Sequence, residues 1–295
     1  MNIEKEKRAI EYLKMFQPQT EPYYLCYSGG KDSDAIRILA QLAGVNHEIH
    51  HNHTTVDAPE TVRYIRTIPD VIIHFPELTM WELIVKKGMP PTRLMRYCCS
   101  DLKEYGGKGR VKVTGVRWEE SNSRRENGGV VKIIGKPKTV QRIGEELNAD
   151  FMLTKKGGVV LNIDNDANRR FVEMCYRTTS TLVNPIVDWS TKDVWEFLHH
   201  YGCESNPLYQ CGECRIGCIG CPMQGAKGMK KDFAKYPKYK EAYIRAFDRM
   251  LKAREQAGKT NDDYWDSGKN VMKWWLGENP NQLTFDIFNE EDFAL

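Results

Sequence analysis

The chain has 295 residues, 41% of them hydrophobic and 28% charged, with a formal net charge of +3 at pH 7. These values are typical of a globular protein and exclude both a disordered chain and an overall strongly basic nucleic-acid binder. No apolar run is long enough to span a membrane, and the first residues are charged rather than signal-like. We therefore expect a cytoplasmic protein with no membrane partner.

The first predicted elements are an amphipathic helix within residues 1–20 and an apolar strand at residues 23–26. A short loop follows, and then apolar residues recur at helical spacing from Ala35 to Leu42. The loop and the start of this helix contain Ser28, Gly29, Gly30, Lys31, Asp32 and Ser33. Glycines permit a sharp turn, a helix N-terminus attracts anions, and Lys31 adds a full positive charge. The stretch therefore predicts a phosphate-binding loop, although a glycine-rich turn with a solvated lysine is the simpler alternative.

Apolar strands are also predicted near residues 45–53, 71–75, 112–116 and 182–187, with helices between most of them. This alternation predicts an α/β fold with a doubly wound, mostly parallel sheet, whose ligands bind at the carboxyl ends of the strands. We assign a nucleotide-binding α/β domain to residues 21–200. An insertion is expected at about residues 128–178, where a hairpin is predicted around residues 155–158. Residues 201–295 are expected to form a region with clustered cysteines and a helical C-terminal extension.

Nine cysteines in a cytoplasmic chain suggest metal or redox chemistry rather than disulfides. Cys98 and Cys99 are adjacent, and four more cysteines fall within eleven residues: Cys211, Cys214, Cys218 and Cys221. Spacing alone favours the four neighbouring thiols as a local zinc or iron–sulfur site. The other interpretation is that Cys98 and Cys99 join Cys218 and Cys221 on a [4Fe–4S] cluster.

Further motifs follow the loop along the chain: Tyr97–Lys103, Gly115–Ser121, Asn184–Ser190, Asn206–Tyr209 and Gly217–Pro222. In this order, from residue 28 to residue 222, they resemble the phosphoadenosine phosphosulfate (PAPS) reductase family of the N-type ATP pyrophosphatase superfamily. The resemblance implies an adenine nucleotide α-hydrolase-like fold, with residues 28–33 binding phosphate or pyrophosphate. It also implies that Arg117, Ser121 and Arg124 bind the anionic groups of a nucleotide, and that Lys31, Asp32 and Arg117 are catalytic.

The same resemblance favours Cys98, Cys99, Cys218 and Cys221 as ligands of a [4Fe–4S] cluster, with zinc as the alternative metal. Cys211 and Cys214 remain reserve ligands. The family's reductases attack their sulfonucleotide with a cysteine near the C-terminus, but this sequence has no cysteine after Cys221. PAPS or adenosine phosphosulfate reduction is therefore the second hypothesis. A non-catalytic nucleotide-binding or redox-sensing module is the third.

The first hypothesis is an ATP pyrophosphatase-type sulfurtransferase that cleaves the α–β bond of a nucleotide. The cysteine region is similar to that of the sulfurtransferase of bacterial DNA phosphorothioation. The expected substrate is ATP, or an adenosine phosphosulfate-type nucleotide, bound with Mg²⁺. A sulfur donor protein is an expected partner, and lysines and aromatic residues between residues 227 and 240 suggest nucleic acid as another. The acceptor and the oligomeric state do not follow from the sequence.

Overall fold

The structure is a computed structural model that describes residues 2–135, 137–154, 158–162, 167–168, 171–172, 180–259 and 264–278. Its chain forms two compact units. The first, which we call the sheet unit, comprises Met1–His51, Glu60–His74 and Gly106–Ile216. The second, the helical unit, comprises Asn52–Pro59, Phe75–Tyr105 and Gly217–Leu295. Each unit is therefore assembled from segments that are distant in sequence.

The strands are β1 (Tyr23–Cys26), β2 (His47–Asn52), β3 (Val71–His74), β4 (Val111–Val113), β5 (Val131–Ile134), β6 (Met152–Leu153), β7 (Val159–Leu161) and β8 (Ser180–Val183). The first helices are α1 (Ile3–Met15), α2 (Lys31–Ala43), α3 (Pro59–Thr67), α4 (Met80–Lys87) and α5 (Asn122–Asn127). They are followed by α6 (Pro137–Glu146), α7 (Thr191–His200), α8 (Gly225–Lys235), α9 (Pro237–Gln256) and α10 (Gly268–Trp275).

The described strands form one sheet in the order β3-β2-β1-β4-β8-β5-β7-β6. Strands β2, β1, β4 and β8 pair in parallel, with Leu25 opposite both Ile49 and Val113. The predicted α/β fold with parallel strands is thus confirmed. The region predicted to be an insertion adds β5, β7 and β6 to the same sheet in antiparallel pairing. The predicted hairpin corresponds to β6 and β7, and its turn residues 155–157 lie outside the described residues.

The core of the sheet unit explains why β1 and α2 form where they do. Strand β1 is apolar and almost fully buried, so it fits the centre of a parallel sheet whose two faces are covered. Helix α2 buries Ala35, Ile36 and Leu39 completely. It begins after the extended Gly30 and ends at Gly44, whose φ of +65° is a left-handed C-cap. The core therefore places the loop between β1 and α2 at the carboxyl edge of the sheet.

The helical unit packs α4, α9 and α10 together, with α8 against α9. Aromatic side chains dominate this packing: the rings of Phe233, Phe247 and Trp275 all lie within 6.0 Å of the ring of Tyr243. Tyr243 is fully buried, and its hydroxyl donates a hydrogen bond to the carbonyl oxygen of Ile219 at 3.1 Å. The predicted helical C-terminal region is therefore present in residues 225–256 and 268–275. Among the described helices, none combines the length and the apolar composition that a membrane span requires.

Candidate phosphate-binding loop and cysteine cluster

The loop between β1 and α2 turns tightly because of its two glycines. Gly29 has a φ of +72°, and a Cβ atom there would lie 2.9 Å from a side-chain carbon of Ile65. The hydroxyl of Ser33 accepts a hydrogen bond from the Gly30 N–H at 3.0 Å and donates one to the Gly30 carbonyl at 2.7 Å. Ser28 donates to the same hydroxyl at 3.3 Å. The loop is thereby tied to the first turn of the helix, where backbone N–H groups and the helix dipole attract an anion.

Two residues that follow α7 in the chain form hydrogen bonds with the loop. The fully buried Asn206 donates hydrogen bonds from Nδ2 to the Gly29 carbonyl and to the Thr61 hydroxyl, both at 3.1 Å. The hydroxyl of Tyr209 accepts a hydrogen bond from the Lys31 N–H at 2.9 Å. Both residues lie in a motif that the sequence displays, yet neither was among the predicted site residues. These residues lie in a 3₁₀ turn, Pro207–Tyr209, that Asn206 caps. The Asn-Pro pair at its start is the only local sequence signal of this turn.

Three charged residues predicted to be catalytic lie together at the start of α2. The Lys31 ammonium lies 2.8 Å from one carboxylate oxygen of Asp32, and Arg117 Nε lies 2.8 Å from the other. Lys31 is 7% exposed and Arg117 is 2% exposed. The guanidinium also lies 2.7 Å from a carboxylate oxygen of Glu119. Buried arginine is therefore balanced by two carboxylates, as the low-dielectric interior requires.

Arg117 is fixed in orientation by residues that follow β8. Its Nη1 donates to the carbonyl oxygen of Trp189, and its Nη2 donates to the hydroxyl of Thr191, both at 3.2 Å. Glu119 accepts hydrogen bonds from the backbone N–H and the hydroxyl of the same Thr191. Burial acts to raise the pKa of Glu119, but the hydrogen bonds from Thr191 and Arg117 outweigh it, and the pKa is lowered. The carboxylate therefore stays ionised beside the guanidinium.

Arg124 lies within electrostatic range of the same charges. Burial lowers its pKa most, repulsion from Arg215 and Arg117 lowers it further, and attraction to Asp32 acts in the opposite direction. Its guanidinium forms an ion pair with Glu120. Mutual repulsion among these arginines favours an anion near them. Arg215 was not predicted, because no local pattern around it marks an anion site.

Ser121, which was expected to bind the nucleotide, caps helix α5. Its side-chain oxygen accepts a hydrogen bond from the backbone N–H of Arg124 at 3.2 Å. Serine is a common residue at this position because its oxygen satisfies an N–H that the helix leaves unpaired. In this structure Ser121 therefore positions the chain that carries Arg124.

A buried carboxyl group lies directly behind the loop. Asp34 is fully buried and accepts hydrogen bonds from the hydroxyls of Tyr27, at 2.5 Å, and Tyr64, at 3.0 Å. Burial raises the pKa of Asp34 from 3.8 to about 6, while both tyrosine hydrogen bonds act to lower it. Sequence analysis missed this residue. Its only signal was an aspartate at a position where the helix faces the core.

Four of the predicted metal ligands lie in the helical unit. Cys98 and Cys99 precede Ser100 at the start of a π-helical turn, Cys99–Lys103. The hydrogen bond with Cys99 raises the pKa of the Cys98 thiol most, followed by burial and by the charges of Cys99, Cys218 and Cys221. Cys99, Cys218 and Cys221 are thus close enough to Cys98 to influence its thiol electrostatically. All four residues are half-buried.

Lys103 brings a positive charge to these thiols. The charge of a Cys218 thiolate is the largest cause that raises the pKa of Lys103, and Asp57 and Cys221 raise it further. The hydrogen bond from Cys98, together with the charge of Lys103, lowers the pKa of Cys99 to about 6. A cation beside several thiols favours thiolates, the form that binds metals. Lys103 belongs to a motif noted in the sequence but was not predicted to be a site residue.

The segment that contains Cys218 and Cys221 is held by hydrogen bonds from two of its backbone N–H groups. The N–H of Ile219 donates to the carbonyl of Val56 at 2.8 Å, and the Gly220 N–H donates to Asp232 at 2.8 Å. Gly220 has a φ of +70°, and a Cβ atom there would lie 2.5 Å from the ring of Phe233. The glycine between the two cysteines is therefore required both by backbone conformation and by packing.

The reserve ligands are placed differently. Cys211 and Cys214 are exposed and belong to the sheet unit, whereas Cys98, Cys99, Cys218 and Cys221 belong to the helical unit. Of the two arrangements that the sequence left open, the structure brings the long-range set of four into one compact unit.

These features define a class: an α/β protein with a phosphate-type loop, lined by lysine and arginine, at the carboxyl edge of a parallel sheet. The family is established by sequence. A model of the phosphoadenosine phosphosulfate reductase domain matches residues 22–224, and the chain belongs to this family.

Individual relatives are more distant. An uncharacterized protein of Methanocaldococcus jannaschii is 24% identical over 274 residues, which are 88% of this chain and 55% of that protein. The chain thus spans about half the length of this relative. The adenosine 5'-phosphosulfate reductase of Allochromatium vinosum is 44% identical over 39 residues, 13% of this chain and 15% of that enzyme. Among solved structures, PAPS reductase from Candida auris in complex with phosphate aligns with a TM-score of 0.38 and 14% identity, over 74% of this chain and 96% of that one.

Proposed function

We propose that the protein binds ATP, or a related adenylyl nucleotide, at residues 28–33 and cleaves the bond between the α- and β-phosphorus atoms for sulfur or adenylyl transfer. One observation carries this proposal. Lys31 and Arg117 both contact Asp32 at the N-terminus of α2, and Arg124 lies within electrostatic range of Asp32 and Arg117. Such a concentration of cations, with backbone N–H groups beside it, suits a pyrophosphate group.

The residues of the site have different roles in binding and cleavage. The loop N–H groups and Lys31 bind the β- and γ-phosphates, and Arg117 and Arg124 stabilise the negative charge that builds up during cleavage. An oxygen of the acceptor attacks the α-phosphorus, the α–β bridging bond breaks, and its electron pair leaves with pyrophosphate. Asp32 holds Lys31 and Arg117 in place, and its carboxylate would be a ligand for the Mg²⁺ that accompanies the nucleotide. Adenylation of the acceptor oxygen turns it into a good leaving group, AMP.

The cysteines of the helical unit fit a metal group. All four thiols are half-buried, Cys99, Cys218 and Cys221 influence Cys98 electrostatically, and Lys103 lies close enough to Cys218 and Cys221 to offset part of their negative charge. We propose that Cys98, Cys99, Cys218 and Cys221 hold a [4Fe–4S] cluster, with zinc as the alternative. When bound by these four thiolates, such a cluster would have no iron free to bind a substrate, so the chemistry that it would supply is electron transfer. Cys211 and Cys214, which are exposed, remain available to accept sulfur from a donor protein.

A second candidate is reduction of a sulfonucleotide. It is favoured by the local similarity to adenosine 5'-phosphosulfate reductase over 39 residues. That reaction needs a thiol that attacks the sulfonucleotide sulfur, and the last cysteine in this sequence is Cys221, one of the proposed cluster ligands. The two candidates therefore differ in their products, pyrophosphate or sulfite.

The test is to incubate the anaerobically purified protein with Mg²⁺ and ATP labelled at the α-phosphorus. With no other acceptor present, water attacks the α-phosphorus, so we expect labelled AMP and pyrophosphate. Both products should be lost with Lys31→Gln and retained with Lys14→Gln, which changes an exposed lysine on α1. A parallel reaction uses adenosine phosphosulfate with reduced thioredoxin. Sulfite release without pyrophosphate release would favour the reductase, and nucleotide binding without either product would indicate a non-catalytic module.

A further inference from the structure

The two helices that follow the cysteine segment carry an excess of positive charge. Residues 225–256 contain ten lysines and arginines but four aspartates and glutamates, a local net charge of +6 in a chain whose total is +3. All these residues are described and lie in the helical unit. The rest of the chain is therefore acidic on balance, and positive charge is concentrated on α8 and α9.

Helix α9 presents its positive charges as a line. Four exposed residues lie within an arc of about 60° when 3.6 residues make one turn. They are Lys238, Arg245, Arg249 and Lys252. The buried residues Tyr243, Phe247 and Met250 lie on the opposite face and pack into the core. From Lys238 to Lys252 the line extends about 21 Å, at 1.5 Å per residue.

Helix α8 repeats this arrangement on a shorter scale. Its exposed lysines recur at helical spacing on one face: Lys227, Lys230, Lys231 and Lys235. Met229 and Phe233 are buried on the other face. The Lys235 ammonium also lies 5.5 Å from the ring centre of Tyr236, at the junction of the two helices. Each helix therefore has an apolar face in the core and a basic face towards solvent.

Two acidic residues of these helices form hydrogen bonds to backbone N–H groups of other segments. Asp232 accepts hydrogen bonds from the Gly220 N–H and from Gln224, and Asp248 accepts one from the Gly268 N–H. Glu241 approaches Arg245 only at 3.9 Å, an exposed pair of little energetic value. On α8, Lys230 contacts Glu278 at 3.1 Å. Two of the four carboxylates on these helices thus hold the backbone of neighbouring turns.

We infer that the basic faces of α8 and α9 bind the phosphodiester backbone of a nucleic acid. A straight row of cations matches an extended polyanion, since duplex DNA carries one negative charge per ~1.7 Å of its axis. A membrane surface fits less well, because no large apolar side chain is exposed on either helix to insert into lipid. This inference goes beyond nucleotide cleavage and does not depend on it, since the binding needs no ATP.

The experiment uses the full chain and fluorescein-labelled 20-mers, one a DNA duplex and one a single-stranded RNA, in fluorescence anisotropy titrations from 50 to 200 mM NaCl. The helix variant carries Lys238→Gln, Arg245→Gln, Arg249→Gln and Lys252→Gln. The control variant changes four exposed cations of the sheet unit: Lys7→Gln, Lys14→Gln, Arg66→Gln and Lys192→Gln. Both variants therefore lose the same net charge.

For duplex DNA, loss of four phosphate contacts should reduce the slope of log affinity against log salt by about 3.6. When NaCl is raised from 50 to 200 mM, the fold-loss of affinity should then be ~150 times smaller for the helix variant than for the wild type. The control variant should retain the wild-type slope, and the RNA arm shows which type of nucleic acid binds better. The inference is overturned if the wild type binds neither probe at 50 mM NaCl, or if both variants lose affinity equally. Binding to phosphatidylserine vesicles without binding to either probe would also overturn it.

Discussion

Near the loop between β1 and α2, charged side chains are buried or half-buried, so each is stabilised by one or two neighbours of opposite charge. Arg117 is 2% exposed and balanced by Asp32 and Glu119, whereas Arg124 is half-buried and paired with Glu120. Replacing Arg117 would remove an ion-pair partner from both Asp32 and Glu119 and would destabilise the fold along with the site. Arg124 is therefore the better residue for separating ligand binding from stability.

We expect Arg124→Gln to weaken binding of pyrophosphate and of ATP by about 10- to 100-fold, the value of a charge-assisted hydrogen bond. The free energy of unfolding of the variant should change by about 1 kcal/mol or less, since the Arg124–Glu120 ion pair is partly exposed to solvent. Isothermal titration and urea unfolding give the two values. Arg125→Gln is the matched control, because Arg125 is the exposed neighbour on the same helix. Equal losses of affinity in both variants would show that Arg124 has no specific role.

The buried carboxyl group of Asp34 makes the free energy of unfolding depend on pH. Its pKa is about 6 in the folded protein and 3.8 in the absence of burial, so the folded state binds the proton more tightly. Between about pH 4 and pH 6 the free energy of unfolding therefore falls as pH rises, by up to ~3 kcal/mol from this group. The ionised carboxylate costs this much above pH 6 because burial outweighs the hydrogen bonds from Tyr27 and Tyr64.

Asparagine cannot ionise, so Asp34→Asn should lose this contribution. Urea unfolding of the wild type and the variant at pH 4.5 and pH 7.5 gives the comparison. The stability advantage of the wild type over the variant should be larger at pH 4.5. Tyr64→Phe, which keeps the carboxyl group, should retain the pH dependence. A difference between wild type and Asp34→Asn that is the same at both pH values would contradict the assignment.

Among the elements, the approach of β4 to the start of α2 depends on a glycine. A Cβ atom at Gly115, just after β4, would lie 2.9 to 3.0 Å from the Cβ, carbonyl carbon and carbonyl oxygen of Asp32. Two of those atoms belong to the backbone of α2 and cannot move without shifting the loop. The sheet edge and the helix N-terminus are therefore in direct contact at this point.

Gly115→Ala should destabilise the fold by about 1–3 kcal/mol, the usual cost of overpacking, and should weaken pyrophosphate binding because α2 is displaced. Gly217→Ala is the control, since nothing lies within 4 Å of a Cβ atom at that position. Urea unfolding and pyrophosphate titration of both variants test the prediction. If Gly115→Ala is as stable as Gly217→Ala and binds pyrophosphate normally, the two elements are not packed as described.

The loop and its flanking elements could be predicted because their signals are local. An apolar strand, two glycines and an amphipathic helix adjoin within residues 23–43, and the structure has β1 and α2 there. The antiparallel half of the sheet was harder to foresee, since its short strands pair with β8 only after the chain has returned to the sheet. Trp189 and Thr191, which accept hydrogen bonds from Arg117, lie more than 70 residues further along. No pattern near Arg117 indicates them.

On the scale of the whole molecule, the chain passes between its two units several times. Residues 75–105, which precede β4, join the helices of residues 217–278 and bring the Cys98–Cys99 pair into the same unit as Cys218 and Cys221. Sequence spacing favoured the neighbouring Cys211 and Cys214 as partners, and only the family resemblance pointed to the distant pair. Distance along the chain does not show which unit a segment joins, so spacing could not predict that these four cysteines share one unit.

The proposed sulfur transfer depends on a cluster held by Cys98, Cys99, Cys218 and Cys221, since this cluster is the feature that links adenylation to sulfur chemistry. The measurement is iron, acid-labile sulfide and zinc per chain after anaerobic purification of the wild type, Cys98→Ser and Cys211→Ser. We predict about four iron and four sulfide atoms in the wild type and in Cys211→Ser, and loss of both in Cys98→Ser. Zinc in place of iron, lost only in Cys211→Ser, would contradict the account and remove the support for sulfur transfer.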